Sequence, residues 1–165
     1  MGKKLETESV WDYPRPPLLE NVSQHISVSH AGQQLVSTNG AVRVLETSHP
    51  PTYYLPIVDF AAGILVPNGK QTYCEFKGAA SYFDLQVGGA VITAAAWTYK
   101  NPTKGFENLL GKVAIYASAV DQCKVGDEVV VDLGSGDHPA RRRAVLAAVP
   151  VRERLEVVDD GGEVR

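Results

Sequence analysis

The sequence predicts a mainly β or α+β fold of compact antiparallel sheets. Residues 22–30 alternate apolar and polar side chains, as a half-buried strand does, and Gly32 supplies a turn into a returning arm at residues 34–38. Residues 71–77 and 81–87 repeat this pattern around "GAA", which indicates a second hairpin. The chain lacks the regular alternation of strands and helices that a parallel sheet requires. Antiparallel pairing is therefore expected.

Further strands follow from the remaining apolar segments. "TYYLPIVDF" at residues 52–60 continues in an extended form after two prolines, and "AVITAAAWTY" at 90–99 is typical of a strand. "VAIYAS" at 113–118 and "DQCKVGDEVVV" at 121–131 predict more strands, with a turn at Gly126. The sheets thus account for most of the chain before residue 131.

A first short helix is predicted near residues 39–48. Asn39 is a suitable N-cap, and Val42 and Leu45 lie three residues apart on one helical face. Pro50 restricts the residue before it to extended geometry, so the helix must end near Ser48.

A second short helix is predicted near residues 102–111. Pro102 suits the first helical turn, and Gly111 suits the position just past the end. Its buried face would consist of Phe106, Leu109 and Leu110.

Composition narrows the class of protein. The chain has 165 residues, 21% of them charged and 44% hydrophobic, with a net charge of -3. No apolar run is long enough to span a membrane, and the charge is too small to favour nucleic acid or a membrane surface as a partner. The amino terminus lacks the apolar core of a signal peptide. We expect a soluble, cytoplasmic protein.

The amino-acid composition changes along the chain and suggests three parts. Residues 1–7 are expected to be a disordered N-terminus, and residues 8–131 a single domain. After Val131 the composition shifts towards Arg, Asp, Gly and Ala, and the closing "DDGGEVR" has nothing to bury. Residues 132–165 are therefore expected to form a divergent, weakly ordered tail.

Metal-binding patterns are missing from the sequence. Cys74 and Cys123 are far apart and form no C-x-x-C pair, so both are predicted to be free thiols. The four histidines likewise show no H-x-x-x-H spacing. We predict no protein-bound metal, and whether the protein uses a cofactor stays unknown.

Four segments, in order along the chain, carry a family pattern. They are "ESVWDYPRPP" at 8–17, "RVLETSHPPTYYLP" at 43–56, "YCEFKGAASYFDL" at 73–85 and "AAAWTYKNPTKGFENLLGKVAIYASAVDQC" at 94–123. Together they resemble the domain of unknown function 427 family, which is also labelled nucleotidyltransferase-like. The resemblance covers residues 8–130.

This resemblance implies a tent-like arrangement of antiparallel sheets that encloses a cleft. The family typically closes with a segment resembling Phe-Tyr-Gly-Gly-Trp-Ile, which this chain lacks after Val131. Two explanations stay open: a diverged tail, or a shift of the reading frame near codon 131. The transferase label implies metal-dependent chemistry between two carboxylates, and Asp137 has no acidic neighbour in a D-x-D pattern.

Polar candidates for a site fall in the segment "RVLETSHPPTYYLP". On the predicted helix, Arg43 and Glu46 are three residues apart and can form an ordinary surface pair. Alternatively, Arg43 binds an anionic group with its guanidinium fork, and Glu46 and His49 act as acid or base. His49 also suits a purely structural place at a helix end, where a cation is favoured.

The remaining candidates lie on predicted strands. Tyr53 and Tyr54 point to opposite faces of an extended segment, so at most one faces a cleft, and Tyr54 is assigned to it. Glu75 and Lys77 share a predicted strand face, either as a solvated pair or turned inward. Trp97 follows three alanines and suits a stacking wall or a core position.

Three functions remain open on the sequence alone. The leading hypothesis is a domain that binds a small anionic or nucleotide-like ligand in a polar cleft. The alternative is a noncatalytic structural or protein-interaction domain, and the third is the nucleotidyltransferase of the family label. Whether it is an enzyme, and its oligomeric state, stay undetermined. The candidate ligand-binding residues are Arg43, Glu46, His49, Tyr54, Glu75, Lys77 and Trp97.

Overall fold

The computed structural model describes residue 8 and residues 10–130, which contain eleven strands in two antiparallel sheets. The mainly β prediction is therefore confirmed. In chain order, the strands are β1 (Leu18–Asn21), β2 (Ile26–His30), β3 (Gln33–Thr38), β4 (Val42–Leu45), β5 (Thr52–Pro56), β6 (Leu65–Cys74), β7 (Gly78–Val87), β8 (Ala90–Tyr99), β9 (Lys112–Ile115), β10 (Gln122–Val125) and β11 (Glu128–Val129).

The larger sheet has seven strands in the order β1-β4-β5-β9-β8-β7-β6, and the smaller sheet has four in the order β11-β10-β2-β3. The β2–β3 hairpin has the predicted turn, in which Ala31 and Gly32 both adopt positive φ, 50° and 74°. This pair of left-handed residues matches the twist of an antiparallel ribbon. The predicted strands on either side of Gly126 are also present, as β10 and β11.

The two sheets share a hydrophobic core. Ile26 and Val28 of β2 have no exposed surface, and alternate residues of the larger sheet, among them Leu55 and Ile115, join them in one buried cluster. Val22, just before β2, is also buried, as the alternation of residues 22–30 predicts. The core thus fixes which face of each central strand points away from the smaller sheet.

The helix predicted near residues 39–48 is wrong, since residues 42–45 form strand β4 between β1 and β5. Val42 and Val44 are both buried on the same side, and Arg43 points to the other. The apolar residues of this short segment fit both the helical period and the strand period. Its β-branched valines favour the strand, because they pack well on a pleated, half-buried surface.

The helix predicted near residues 102–111 is also wrong. Only a 3-10 turn forms, at Glu107–Leu109. Gly105 and Gly111 take φ values of 96° and 73°, which are incompatible with a right-handed helix. Leu109 is fully buried, whereas Leu110 is largely exposed, so the apolar pair does not form one helical face.

The second hairpin is present, but its turn lies earlier than predicted. Strand β6 ends at Cys74, and Glu75, Phe76 and Lys77 form the turn, so Glu75 and Lys77 do not share a strand face. The "GAA" segment already belongs to β7, and Gly78 pairs with Cys74. Gly78 has φ of 102°, and an added Cβ would lie 3.3 Å from the Asn101 carbonyl oxygen, so this position requires glycine.

Some predictions fall beyond the described chain. The disordered segment at 1–7 and the tail at 132–165 lie outside the described residues, and the single domain at 8–131 stays a prediction. Among residues 8 and 10–130, no helix has the length and apolar character needed to cross a bilayer.

Candidate functional site

Aromatic side chains gather on the face of the seven-stranded sheet opposite the smaller sheet. We call them the aromatic cluster: Tyr54, Tyr82, Trp97, Tyr99 and Tyr116. They come from four strands or strand ends that alternation places on the same side. Tyr116 alone is only partly buried.

Strand register places three members of this cluster in one row. Trp97 pairs with Ala114 on one side and with Tyr82 on the other, and the β5–β9 register brings Tyr54 to the far side of Ala114. The small Ala114 side chain leaves room for the Tyr54 and Trp97 rings to meet edge to face, with centroids 6.4 Å apart at 86°. A row of large, small and large side chains therefore crosses the middle of the sheet.

The Tyr54 hydroxyl lies at the centre of the cluster. Burial raises the pKa of this phenol strongly, and hydrogen bonds donated by Trp97 and Tyr99 act in the opposite direction. Burial also raises the pKa of Tyr99, and the nearby Tyr54 and Cys74 reinforce the shift. Both phenols are therefore neutral at physiological pH, and they can donate or accept hydrogen bonds without carrying charge.

Two lysines lie beside the aromatic cluster: Lys70, which is exposed and lies 4.6 Å from the Tyr82 ring centroid, and Lys77. Lys77 is only 8% exposed, and its Nζ lies 5.9 Å from the centroid of the Tyr99 ring, a cation–π distance. No carboxylate pairs with this ammonium among residues 8 and 10–130. The stem of Lys77 is therefore covered, and its ammonium remains available to an anion.

The turn that carries Lys77 is held by the loop after β8. The Thr103 hydroxyl donates to the carbonyl of Phe76, and the Thr103 backbone N–H donates to the carbonyl of Lys77 at 3.1 Å. Gly78 brings the chain against the Asn101 carbonyl at the same point. Because three contacts fix the backbone on both sides of Lys77, its side chain starts from a rigid position.

Glu46 and His49 lie in the turn that follows β4. Burial is the main cause of the raised pKa of Tyr54, and the nearby carboxylate of Glu46 makes a minor contribution in the same direction. His49 Nδ1 donates to the Thr47 carbonyl at 2.9 Å and lies 4.0 Å from Glu46 Oε2. That donation leaves Nε2 of the half-exposed imidazole as an acceptor.

Arg43 lies apart from the cluster, on the opposite face of the same sheet. Strand pairing lines it up with Glu20 on β1 and Tyr53 on β5. Its guanidinium donates to Glu20 and, through two nitrogens, to both carboxylate oxygens of Glu8 at 2.8 and 3.0 Å. Tyr13 donates to the same Glu8 carboxylate at 2.7 Å. The positive charge of Arg43 is thus balanced by carboxylates of the same chain.

The structure divides the seven predicted residues. Tyr54, Trp97 and Lys77 come together, and Glu46 is electrostatically coupled to Tyr54. His49 contacts Glu46 but is itself well exposed, Glu75 is exposed in the β6–β7 turn, and Arg43 faces the other way. The expectation that Tyr53 and Tyr54 point to opposite faces is confirmed, since they belong to different buried clusters.

Sequence reasoning missed Tyr99 and Thr103. Tyr99 follows Trp97 by two positions on a predicted strand, so the period of two already places it on the same face. Thr103 gives no such signal, because its contacts to the turn at Phe76 and Lys77 depend on how two distant loops meet. Among the described residues, no three His, Cys, Asp or Glu side chains lie close enough to hold a metal ion.

Fold and site together define a two-sheet antiparallel β domain with an aromatic face beside a buried lysine. The chain belongs to the family described as a domain of unknown function, DUF427, whose model matches residues 18–126. The resemblance found in the sequence is thereby confirmed. The match includes the whole seven-stranded sheet and every strand of the smaller sheet except β11. No curated protein matches this chain.

Proposed function

We propose that this domain binds a small anionic ligand with a planar group, such as a nucleotide, against the aromatic cluster. Lys77 would pair with the anionic group, and the rings of Trp97 and Tyr99 would contact the planar one. In this proposal the ligand occupies a cleft of the tent-like fold that the family resemblance implies. The near-burial of Lys77 without a carboxylate partner in the described residues carries the proposal.

The position of Lys77 supports an anionic ligand. Its stem is covered and held in place, and its ammonium has a ring face beside it but no carboxylate partner among residues 8 and 10–130. An incoming phosphate or carboxylate would supply a charged hydrogen-bond partner at that point. Thr103 and Gly78 hold the turn in place without the ligand, so little ordering entropy is lost on binding.

Glu46 and His49 form the polar rim in this proposal. His49 presents Nε2 as an acceptor, because Nδ1 is committed to the Thr47 carbonyl. That nitrogen could accept a hydroxyl or amino hydrogen of a bound ligand. Arg43 takes no part, since its guanidinium donates to the Glu8 carboxylate on the other face of the sheet. Glu75 would contact only the exposed end of a ligand.

A noncatalytic structural or interaction domain is the second candidate. The observation that favours it is the mutual packing of the aromatic cluster, in which Tyr54 is 1% and Trp97 7% exposed. On this view Lys77 simply covers Tyr99 with its aliphatic stem. Nucleotidyl transfer, as the family label suggests, is the third candidate and requires Mg²⁺ together with a nucleoside triphosphate.

Binding is tested by the fluorescence of Trp97 in a Trp11→Phe background, where Trp97 is the single tryptophan. The probes are AMP, adenosine and inorganic phosphate at up to millimolar concentration, and ATP with and without Mg²⁺. We expect AMP to bind at least about tenfold more tightly than adenosine, since the ion pair adds to stacking.

Lys77→Met keeps the length of the side chain and removes its charge. It should weaken AMP binding by at least about tenfold and leave adenosine binding nearly unchanged. Lys124→Met is the control, because Lys124 lies on β10 of the smaller sheet, away from the aromatic cluster. Equal losses in the two variants, or no binding of any probe, would favour the structural candidate.

A further inference from the structure

A second polar constellation lies at the smaller sheet, away from the aromatic cluster. His25 precedes β2, Ser37 lies on β3, and Asn39 lies in the turn after it. The imidazole of His25 reaches both of the others. Its Nε2 is 2.7 Å from Ser37 Oγ, and its Nδ1 is 2.8 Å from Asn39 Oδ1.

These two contacts fix the tautomer of His25. The amide oxygen of Asn39 can only accept, so Nδ1 must carry the proton and donate it. In the neutral ring Nε2 is then the bare nitrogen, and it accepts the hydroxyl hydrogen of Ser37. A hydroxyl nucleophile, a neutral imidazole base and an orienting acceptor thus occur in the order that acyl-transfer enzymes use.

Separate contacts hold each member in place. The backbone carbonyl of His25 accepts the Gly126 N–H at 2.8 Å, which ties it to the β10–β11 turn. Ser37 is fixed by its register opposite Ser27. Around Asn39, the Thr38 hydroxyl donates to Asp59 at 2.6 Å and accepts the Gly40 N–H at 2.9 Å. The constellation therefore depends on fold contacts from four segments.

Ser37 lies on the outer face of the smaller sheet, away from the core. Ile26, Val28 and Val36 face the core, so the alternating residues, including Ser27 and Ser37, face outward. Register continues this row from Ser37 through Ser27 to Lys124 on β10. Two strand spacings of about 4.8 Å separate Ser37 from Lys124, and a lysine side chain can cover much of that distance. Its ammonium can stabilise a developing oxyanion.

We propose that Ser37 accepts an acyl group from an activated acyl donor, a thioester or an aryl ester, with His25 as general base. The Ser37 oxygen attacks the carbonyl carbon while its proton passes to His25 Nε2. The carbonyl–leaving-group bond then breaks, and the imidazolium returns the proton to the departing thiolate or phenolate. Water, deprotonated by His25, cleaves the acyl-serine to a carboxylic acid and the free hydroxyl. Asn39 is a positioning residue.

The first test labels the whole protein with a fluorophosphonate probe and locates the adduct by mass spectrometry. We expect labelling at Ser37 about 100-fold faster than at Ser27, because a positioned general base is worth about that much or more. His25→Ala should remove the difference, and Ser27→Ala should leave it intact. Equal labelling of the two serines, or no effect of His25→Ala, would overturn the proposal.

The second test follows p-nitrophenyl acetate turnover. Ser37→Ala should abolish the p-nitrophenolate burst, and Thr93→Val, at an exposed position on β8 of the larger sheet, should leave it unchanged. Asn39→Leu should lower kcat by about tenfold or more, and Asn39→Asp should restore it, because the carboxylate still accepts from Nδ1. A burst that persists in Ser37→Ala, or equal rates for both Asn39 variants, would contradict these roles. Unchanged thermal unfolding of the variants excludes a folding defect.

Discussion

Arg43 and Glu8 form a two-point ion pair between residues that are 35 positions apart, with N–O distances of 2.8 and 3.0 Å. The pair fastens the segment before β1 to strand β4. Because the carboxyl of Glu8 is about one-third exposed, solvent weakens the interaction. We expect Glu8→Gln to lower the free energy of unfolding by about 1 kcal/mol. Urea unfolding measures this, with the exposed Glu75→Gln as the control, which should change little.

The same ion pair makes stability depend on pH. Burial opposes ionisation of Glu8, but hydrogen bonds from Arg43 and Tyr13 outweigh it and hold the pKa of this carboxyl below its ordinary value of 4.5. The stabilisation is therefore fully present above the unfolded pKa and is lost as pH falls through the folded one. Wild type and Glu8→Gln should differ by a constant unfolding free energy from about pH 7 down to about pH 5, and they should converge as the pH falls further below 4.5. A difference that stays constant below pH 4.5 would contradict the linkage.

Tyr54 and Trp97 meet only because Ala114 stands between them. Ala114 is fully buried, and its row partners leave no space for a larger group. Ala114→Val should destabilise the protein by about 1–3 kcal/mol through overpacking, although valine suits a strand. Thermal unfolding and near-ultraviolet circular dichroism of the cluster measure it. Ala79→Val, at an exposed strand position, should have little effect.

Ala31, in the turn between β2 and β3, is not the most stable residue type for its backbone conformation. Its φ of 50° strains a residue with a Cβ, and asparagine tolerates this region better. Its side chain is exposed, and its N–H would still donate to Asp121 Oδ2 at 2.8 Å. Ala31→Asn should raise the free energy of unfolding by about 0.5–1 kcal/mol. The same change at Ala79, in regular strand geometry, should lower it.

Thr103 tests whether the position of Lys77 matters for binding. Thr103→Val removes the hydroxyl that donates to the Phe76 carbonyl and keeps the shape of the side chain. We expect a loss of about 1 kcal/mol in stability and a several-fold weaker affinity for AMP, because the turn loosens. Titration of Trp97 fluorescence measures the affinity. Thr93→Val, at an exposed position on β8, is the control and should leave AMP affinity unchanged.

Periodicity predicted the hairpins well, because strict alternation of apolar and polar residues fits a strand and not a helix. Ile26 and Val28 fit only a strand, and Gly32 marks the turn. Residues 42–45 differ, since Val42 and Leu45 satisfy a helical spacing while Val42 and Val44 satisfy a strand, and only the neighbours β1 and β5 decide. The internal Gly105 was an available signal against the second helix.

The candidate site was predicted in part for the same reason. Alternation places Tyr54 away from Tyr53, and this followed from sequence alone. The position of Arg43 did not, because a strand rather than a helix sets its direction and because Glu8 and Glu20 approach it from other segments. Contacts such as those of Thr103, and the approach of His25 to Ser37, arise only when distant segments meet.

Strand β10 pairs with β2, although all of β3 to β9 lies between them in the chain. During synthesis, β2 and β3 emerge early and must wait for almost the whole domain before their sheet gains β10. Closing so long a loop is entropically costly, so we expect the smaller sheet to complete late in folding. A nascent chain released before residue 122 would leave the edge of β2 that pairs with β10 unpaired, which makes truncated products prone to aggregate.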